Sequence, residues 1–291
     1  MRHNHFALAL LLLLLLFVQS AMAQTVEPPS SDADSTKELA KHLNNPVADL
    51  WSLTFQYNHY LYKGPPADST QTMDLLNFQP VLPIHLTSDW NLITRPVFPF
   101  VFNSPAFEPT EGWSDTNGFG DLTVLSILSP ANLSSGFIWG VGPTAIFPTA
   151  TNDFLGAGKY QAGPAAVGLH MGKDWVFGAV AQQWWSFAGD GDRQSTSSAN
   201  IQYFIQYLFG DGWQIGMQPN ILIDWKADQD NRFTVPVGFG IGKVVKIGPL
   251  PIKFTAEVDY MAIHPDDFGQ HWGFRFQIIP VIPALFKDTL F

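Results

Sequence analysis

From Leu50 onward, apolar and polar residues alternate with a period of two, the signature of β-strands with one apolar face. Trp51, Leu53, Phe55 and Tyr57 take one side, and Ser52, Thr54, Gln56 and Asn58 the other. The pattern is cleanest at the end of the third quarter. There Trp213, Ile215, Met217, Pro219, Ile221, Ile223 and Trp225 oppose Gln214, Gly216, Gln218, Asn220, Leu222 and Asp224. It predicts one unbroken strand over residues 213–225. The alternation recurs over 201–207, 233–241, 252–260 and 272–278. Weaker versions cover 76–86, 90–102, 121–129, 137–147, 160–170 and 175–187. Together these predict about twelve strands, each near the ~9–11 residues that a tilted membrane strand requires.

Connection lengths alternate as well. The links at 87–89, 172–174 and 209–212 are tight, whereas those at 61–72, 103–118, 149–159 and 188–198 are long. An outer-membrane barrel with both ends in the periplasm has short turns on that side and long loops outside. A long link after strand one and a short one after strand two is the order this topology demands. The links at 129–135 and 246–251, expected on the periplasmic side, are moderately short. A secreted β-sandwich also alternates, but its strands are shorter, ~5–6 residues, and its polar face carries Lys and Glu. Those are scarce here, and Trp51, Trp90, Trp175, Trp213, Trp225 and Trp272 stand at strand ends, as in the aromatic girdles of membrane barrels. The fold expected is all-β: a transmembrane antiparallel β-barrel of about twelve strands.

The first 49 residues read differently. Arg2 supplies a positive start, residues 6–18 form a leucine-rich apolar stretch, and Ala21-Met22-Ala23 is a small-x-small cleavage site. Residues 1–23 are therefore a secretory signal peptide, directing export through the Sec pathway. Residues 24–49 form a periplasmic N-terminal segment with a short helix over 35–44. Ser35 and Glu38 there make a capping box, and Pro46 stops the helix. A lead-in peptide is favoured over a plug for this segment. Residues 50–291 are the barrel. Phe291 is a terminal aromatic of the kind used for barrel assembly, although Lys287 and Asp288 break the alternation before it.

Composition narrows the chemistry. Charged residues are 14 % of the 291, well below the ~25 % usual for soluble domains. Cysteine is absent, which excludes disulfides, thiolate metal sites and a Cys nucleophile. With 15 Lys plus Arg against 25 Asp plus Glu, the net charge is −10 and no basic cluster occurs, so nucleic acid is not an expected partner. No stretch after the leader reaches the ~18 apolar residues of a membrane helix.

Several short stretches are similar to one bacterial outer-membrane family. They are Asn45-Pro46-Val47-Ala48-Asp49-Leu50, Phe55-Gln56-Tyr57-Asn58, Leu76-Asn77-Phe78-Gln79-Pro80 and Trp90-Asn91-Leu92-Ile93-Thr94-Arg95-Pro96. Further along come Gly118-Phe119-Gly120-Asp121, Trp139-Gly140-Val141-Gly142-Pro143, Pro148-Thr149-Ala150-Thr151 and Ala162-Gly163-Pro164-Ala165. The chain resembles the "MetA-pathway of phenol degradation" proteins from about Asn45 to Ile282. The resemblance implies an outer-membrane barrel of a Gram-negative bacterium with a transport role, and it defines no substrate.

Charged groups on inward positions are the candidate site: Arg95, Asp121, Asp224, Lys253, Glu257, Asp259 and Arg275, with His85 and His271 beside them. A lipid-facing Arg or Lys costs ~2–4 kcal/mol near the midplane, so these groups belong in the lumen. They form either a selectivity lining for small polar or anionic aromatic solutes or a salt-bridge network filling a narrow barrel. Gly238-Phe239-Gly240-Ile241-Gly242-Lys243 is no phosphate loop, since its glycines fall at period two inside a strand and Val follows the Lys. They are small inward residues that make room for opposite side chains. The paired acids Asp190/Asp192, Asp228/Asp230 and Asp266/Asp267 are loop residues, with loose divalent bridging to lipopolysaccharide as the functional option.

His59, His85, His170, His264 and His271 lack metal spacing, and no Gly-x-Ser-x-Gly pattern supports a lipid-modifying enzyme. Exposed Phe107, Trp113 and Phe154 suit either a binding loop or a packed barrel mouth. The expectation is a non-enzymatic channel for passive passage of small solutes, small aromatic or hydrophobic compounds among them, with no metal or cofactor. Its partners are outer-membrane lipid, lipopolysaccharide and the barrel assembly machinery. The competing readings are a lipid-modifying enzyme and a closed structural or adhesive barrel.

Overall fold

The computed structural model describes residues 39–41, 43–44, 51–131, 136–248 and 250–282. The signal peptide, Ser35, Glu38, Pro46 and Phe291 lie outside the described residues. The strands are β1 (Trp51–Lys63), β2 (Gln71–His85), β3 (Trp90–Glu108), β4 (Gly112–Phe119), β5 (Leu122–Pro130), β6 (Phe137–Phe147) and β7 (Lys159–Met171). They continue with β8 (Trp175–Gly189), β9 (Ser197–Phe209), β10 (Trp213–Met217), β11 (Asn220–Asp224), β12 (Phe233–Ile247), β13 (Leu250–Ile263) and β14 (Gly269–Ile282). All pair antiparallel with their neighbours, and β14 returns to β1 with Trp51 opposite Ile282 and Tyr57 opposite Phe276. The sheet is closed, so no strand edge is left to meet lipid.

Fourteen segments make twelve staves. β4 and β5 are one stave interrupted at Gly120–Asp121, since β3 pairs with β4 above the break and β5 below it. β10 and β11 are likewise one stave, both lying between β9 and β12. Two expectations are thereby corrected. The stretch 103–118 is not an open loop: β3 and β4 continue it as a hairpin paired from Ser104–Thr116 to Glu108–Gly112. The stretch 213–225 is not one strand, because Pro219 carries no N–H for the ladder and the backbone breaks at Gln218–Pro219. The phase changes across the break: Trp213 is exposed and Gln214 buried before it, while Leu222 and Asp224 are exposed and Ile223 buried after it.

Tight turns at 86–89, 172–174 and 210–212, and the end of the β12–β13 hairpin where Ile247 pairs with Leu250, share one end of the barrel with Trp51 and Ile282, which marks that end as periplasmic. The link at 246–251 is therefore as tight as the others. Long connections at 64–70, 148–158, 190–196, 225–232 and 264–268 occupy the other end.

Outward positions round the middle of the wall are mainly apolar. Phe137, Val141, Phe177, Phe239 and Phe276 are exposed on the wall, where a soluble sandwich would carry charge. Two aromatic belts frame this band. Trp90 packs edge-on to Trp139 and Trp175 against Tyr207 at the periplasmic end, and Tyr260 packs on Trp272 toward the outer end. At the lower belt the Lys243 amine sits 5.0 Å from the Trp213 ring centroid and pairs with Asp211.

Residues 39–41 and 43 are helical, and Asn44 ends the turn by donating its side-chain amide to the Ala40 carbonyl at 2.9 Å. This turn lies inside the periplasmic end of the barrel, not beneath it. Ala40 is fully buried in a cluster with Leu169, Val176, Leu208 and Val244, and Leu39 and Leu43 pack against the same cluster.

Candidate functional site

Inward side chains of β12, β13 and β14 form a polar cluster in the upper lumen. Arg275 on β14 lies opposite Glu257 on β13, and its Nη1 donates to Glu257 Oε1 at 3.2 Å. Arg275 Nη2 stands 3.7 Å from Asp259 Oδ2. Its Nη1 also donates to the Gln218 carbonyl at 2.7 Å, and its Nε to Asn58 Oδ1 at 3.4 Å. The Gln218 amide donates back to both Glu257 oxygens at 3.1 Å. The break in the β10–β11 stave thus turns the backbone of Gln218 into the lumen, its N–H held by the Glu257 carboxylate and its C=O by the Arg275 guanidinium. The glycines of β12 make the room. A Cβ at Gly238 would lie 2.1 Å from Asp259 Oδ1, and one at Gly242 would lie 2.9 Å from Gln214 Cγ.

Below this cluster is a cavity of about 120 Å³. Its lining is two-sided. Ile93, Leu125, Ile127, Val167, Val180 and Phe204 make the side from β3 round to β9 mainly apolar, with Arg95 and Gln202 among them, and Gln56, Gln79, Gln277 and Lys253 make the side from β13 round to β2 mainly polar, with Val81 and Ile279 among them. Arg95 stands one inward step above Ile93 and donates to Gln202 Oε1 at 3.4 Å, while its buried Nε has no partner. Leu43 and Asn44 close the periplasmic side. Asn44 accepts from the Lys253 amine at 2.6 Å and donates to Gln214 Oε1 at 2.8 Å, so one amide ties the helical turn to two staves.

The structure brings Arg95, Lys253, Glu257, Asp259 and Arg275 together in the middle of the lumen and places the other candidates toward the ends of the barrel. His85 lies at the periplasmic end of β2, bonded to Asn91 at 2.9 Å. His271 lies at the outer end of β14, its ring 3.9 Å from that of His264. Asp121 sits at the break between β4 and β5, accepting from the Ala150 amide at 3.1 Å and the Ala157 amide at 2.8 Å, which fastens the 148–158 loop. Asp224 is exposed at the end of β11, where its carboxylate accepts from the Lys226 amide at 2.9 Å. Phe107 and Trp113 face each other across the β3–β4 hairpin, and Trp113 packs on Phe268, so both cover the barrel mouth.

Two features escaped the sequence. The lumen-facing helical turn is one, because Leu39, Ala40 and Leu43 give only a short apolar stripe. The other is Asp74, which accepts from Tyr57 Oη at 2.5 Å and pairs with His59 Nδ1 at 2.8 Å. It lies on the outward face of β2 opposite His59. β2 starts at Gln71, five residues before the alternation becomes legible, so Asp74 fell between the expected link at 61–72 and the expected strand at 76–86.

The family model described as "Putative MetA-pathway of phenol degradation" matches residues 52–250. Comparison with curated protein sequences finds no match. Among solved structures, the chain is similar to an outer membrane channel from Pseudomonas putida F1, with 18 % identity and a TM-score of 0.61. That match covers 89 % of this chain and 100 % of that one. The NanC porin aligns at 10 % identity and a TM-score of 0.48, covering 80 % of this chain and 99 % of that one. A closed twelve-stave barrel with an apolar outer band and a polar lumen is an integral outer-membrane protein. The chain belongs to the family described as "Putative MetA-pathway of phenol degradation".

Proposed function

We propose that the barrel is a conduit for passive, diffusive passage of small, partly apolar solutes, small aromatic compounds among them. The observation that carries this reading is the two-sided cavity, whose apolar wall and ring of glutamines suit a solute with one greasy and one polar side. Arg95, Lys253, Glu257, Asp259 and Arg275 line the route, with His271 at its outer end and His85 at its periplasmic end. The outer band rests in outer-membrane lipid and lipopolysaccharide, and assembly follows the route of other barrels through the barrel assembly machinery.

Solute flux into liposomes carrying the refolded mature chain tests the reading. Uptake of phenol-sized solutes above that of protein-free liposomes is expected, with a cut-off below disaccharides. Equal rates with and without the folded barrel would overturn it.

A further inference from the structure

The lumen cavity contradicts the charge of the chain that encloses it. The protein carries a net charge of −10, yet among the described residues the cavity is lined by two cations, Arg95 and Lys253, and by no Asp or Glu. The acids of the lumen, Glu257 and Asp259, are engaged with Arg275 instead. Arg95 has no carboxylate partner among the described residues: its one hydrogen bond goes to Gln202 at 3.4 Å, and its buried Nε has none. A half-buried guanidinium without an anion is unfavourable, and its fork of donors matches a carboxylate. Val167, Val180 and Phe204 line the same cavity. The free volume, about 120 Å³, is of the order of the ~150 Å³ cavities that admit a benzene ring.

We propose that this cavity is a binding site for a small monocarboxylate with an apolar body, its anionic group taken by Arg95 and Lys253 and its body laid on the β5–β9 wall. A carboxylate between the two cations would replace the long bond to Gln202 and complete the Arg95 Nε. Asn44 bridges Lys253 to the helical turn at the periplasmic end, so an anion that draws the amine away competes with the bond holding that turn. The assignment deepens the conduit reading and rests on it for its use, although binding itself needs no conduction.

Calorimetric titration of the folded mature chain in detergent tests it, with benzoate, benzamide and acetate as probes. Benzamide keeps the ring and removes the charge; acetate keeps the charge and removes the ring. Benzoate is expected to bind at least tenfold more tightly than either. Arg95→Gln should bring benzoate down to the benzamide level, and Val167→Phe, which fills the cavity, should abolish benzoate binding. Equal affinity for benzoate and benzamide would overturn the proposal, as would undiminished benzoate binding by folded Arg95→Gln protein. Acetate binding as tightly as benzoate would overturn it too, since the apolar wall would then contribute nothing. The comparison of probes on the unaltered chain decides the matter even if a variant fails to fold. Conducting barrels that do not prefer benzoate would remove this site and leave the conduit; benzoate binding by barrels that pass no solute would do the reverse.

Discussion

Arg275 is the residue on which the upper lumen depends, because two carboxylates and an inserted peptide all face it. Its side chain is 4 % exposed and that of Glu257 3 %, so removing one partner leaves uncompensated charge in a largely desolvated place. Arg275→Gln is expected to cost about 3–5 kcal/mol of barrel stability, measured as urea unfolding in lipid vesicles. Glu257→Gln with Arg275→Gln should recover part of that loss; strictly additive effects would show that the pair is not coupled. Gly238 carries a steric version of the same claim. Gly238→Val would drive a side chain onto Asp259, where even a Cβ comes within 2.1 Å, and should lower the folded yield. Gly191→Ala, with nothing within 4 Å of the added Cβ, should leave it unchanged. Similar yields for both variants would contradict the packing account.

The elements themselves were largely written in the alternation. Strands such as β12 and β13 read correctly because lipid on one side and polar lumen on the other force a period of two across a whole membrane span. The sequence failed where tertiary contacts override the pattern. Pro219 falls in phase with the apolar set from Trp213, so alternation alone carries the strand through it. What stops the strand is the missing N–H of Pro219 together with the Gln218 backbone, which turns inward to Glu257 and Arg275, partners 39 and 57 residues away in the chain. The β3–β4 hairpin was missed because Asn103 to Gly118 is rich in the residues of open loops. Leu39, Ala40 and Leu43 showed a helix but not its address, since an apolar stripe of three residues fits a barrel interior as well as a periplasmic surface. That address has a test. Asn44→Ala removes the bonds to Gln214, Lys253 and Ala40, and should speed tryptic cleavage after Lys41 in membrane-embedded barrels. Equal cleavage rates would place the holding force elsewhere.

At the scale of the molecule, the barrel separates three environments that its composition alone could not distinguish. The apolar wall faces lipid, the acidic loops face the outside, and the cations face the cavity. The low content of charged residues and the Trp girdles made the membrane location legible, whereas the sign of charge inside the lumen depends on which acids Arg275 engages. Conduction through a lumen narrowed at its periplasmic end by the helical turn is the function proposed for this closed barrel. Single-channel recording in planar bilayers tests that most directly, comparing the mature chain with one lacking residues 24–44. Small, brief current steps are predicted for the former and larger, steadier ones for the latter. Silence from both, with each shown to be folded and inserted, would contradict it.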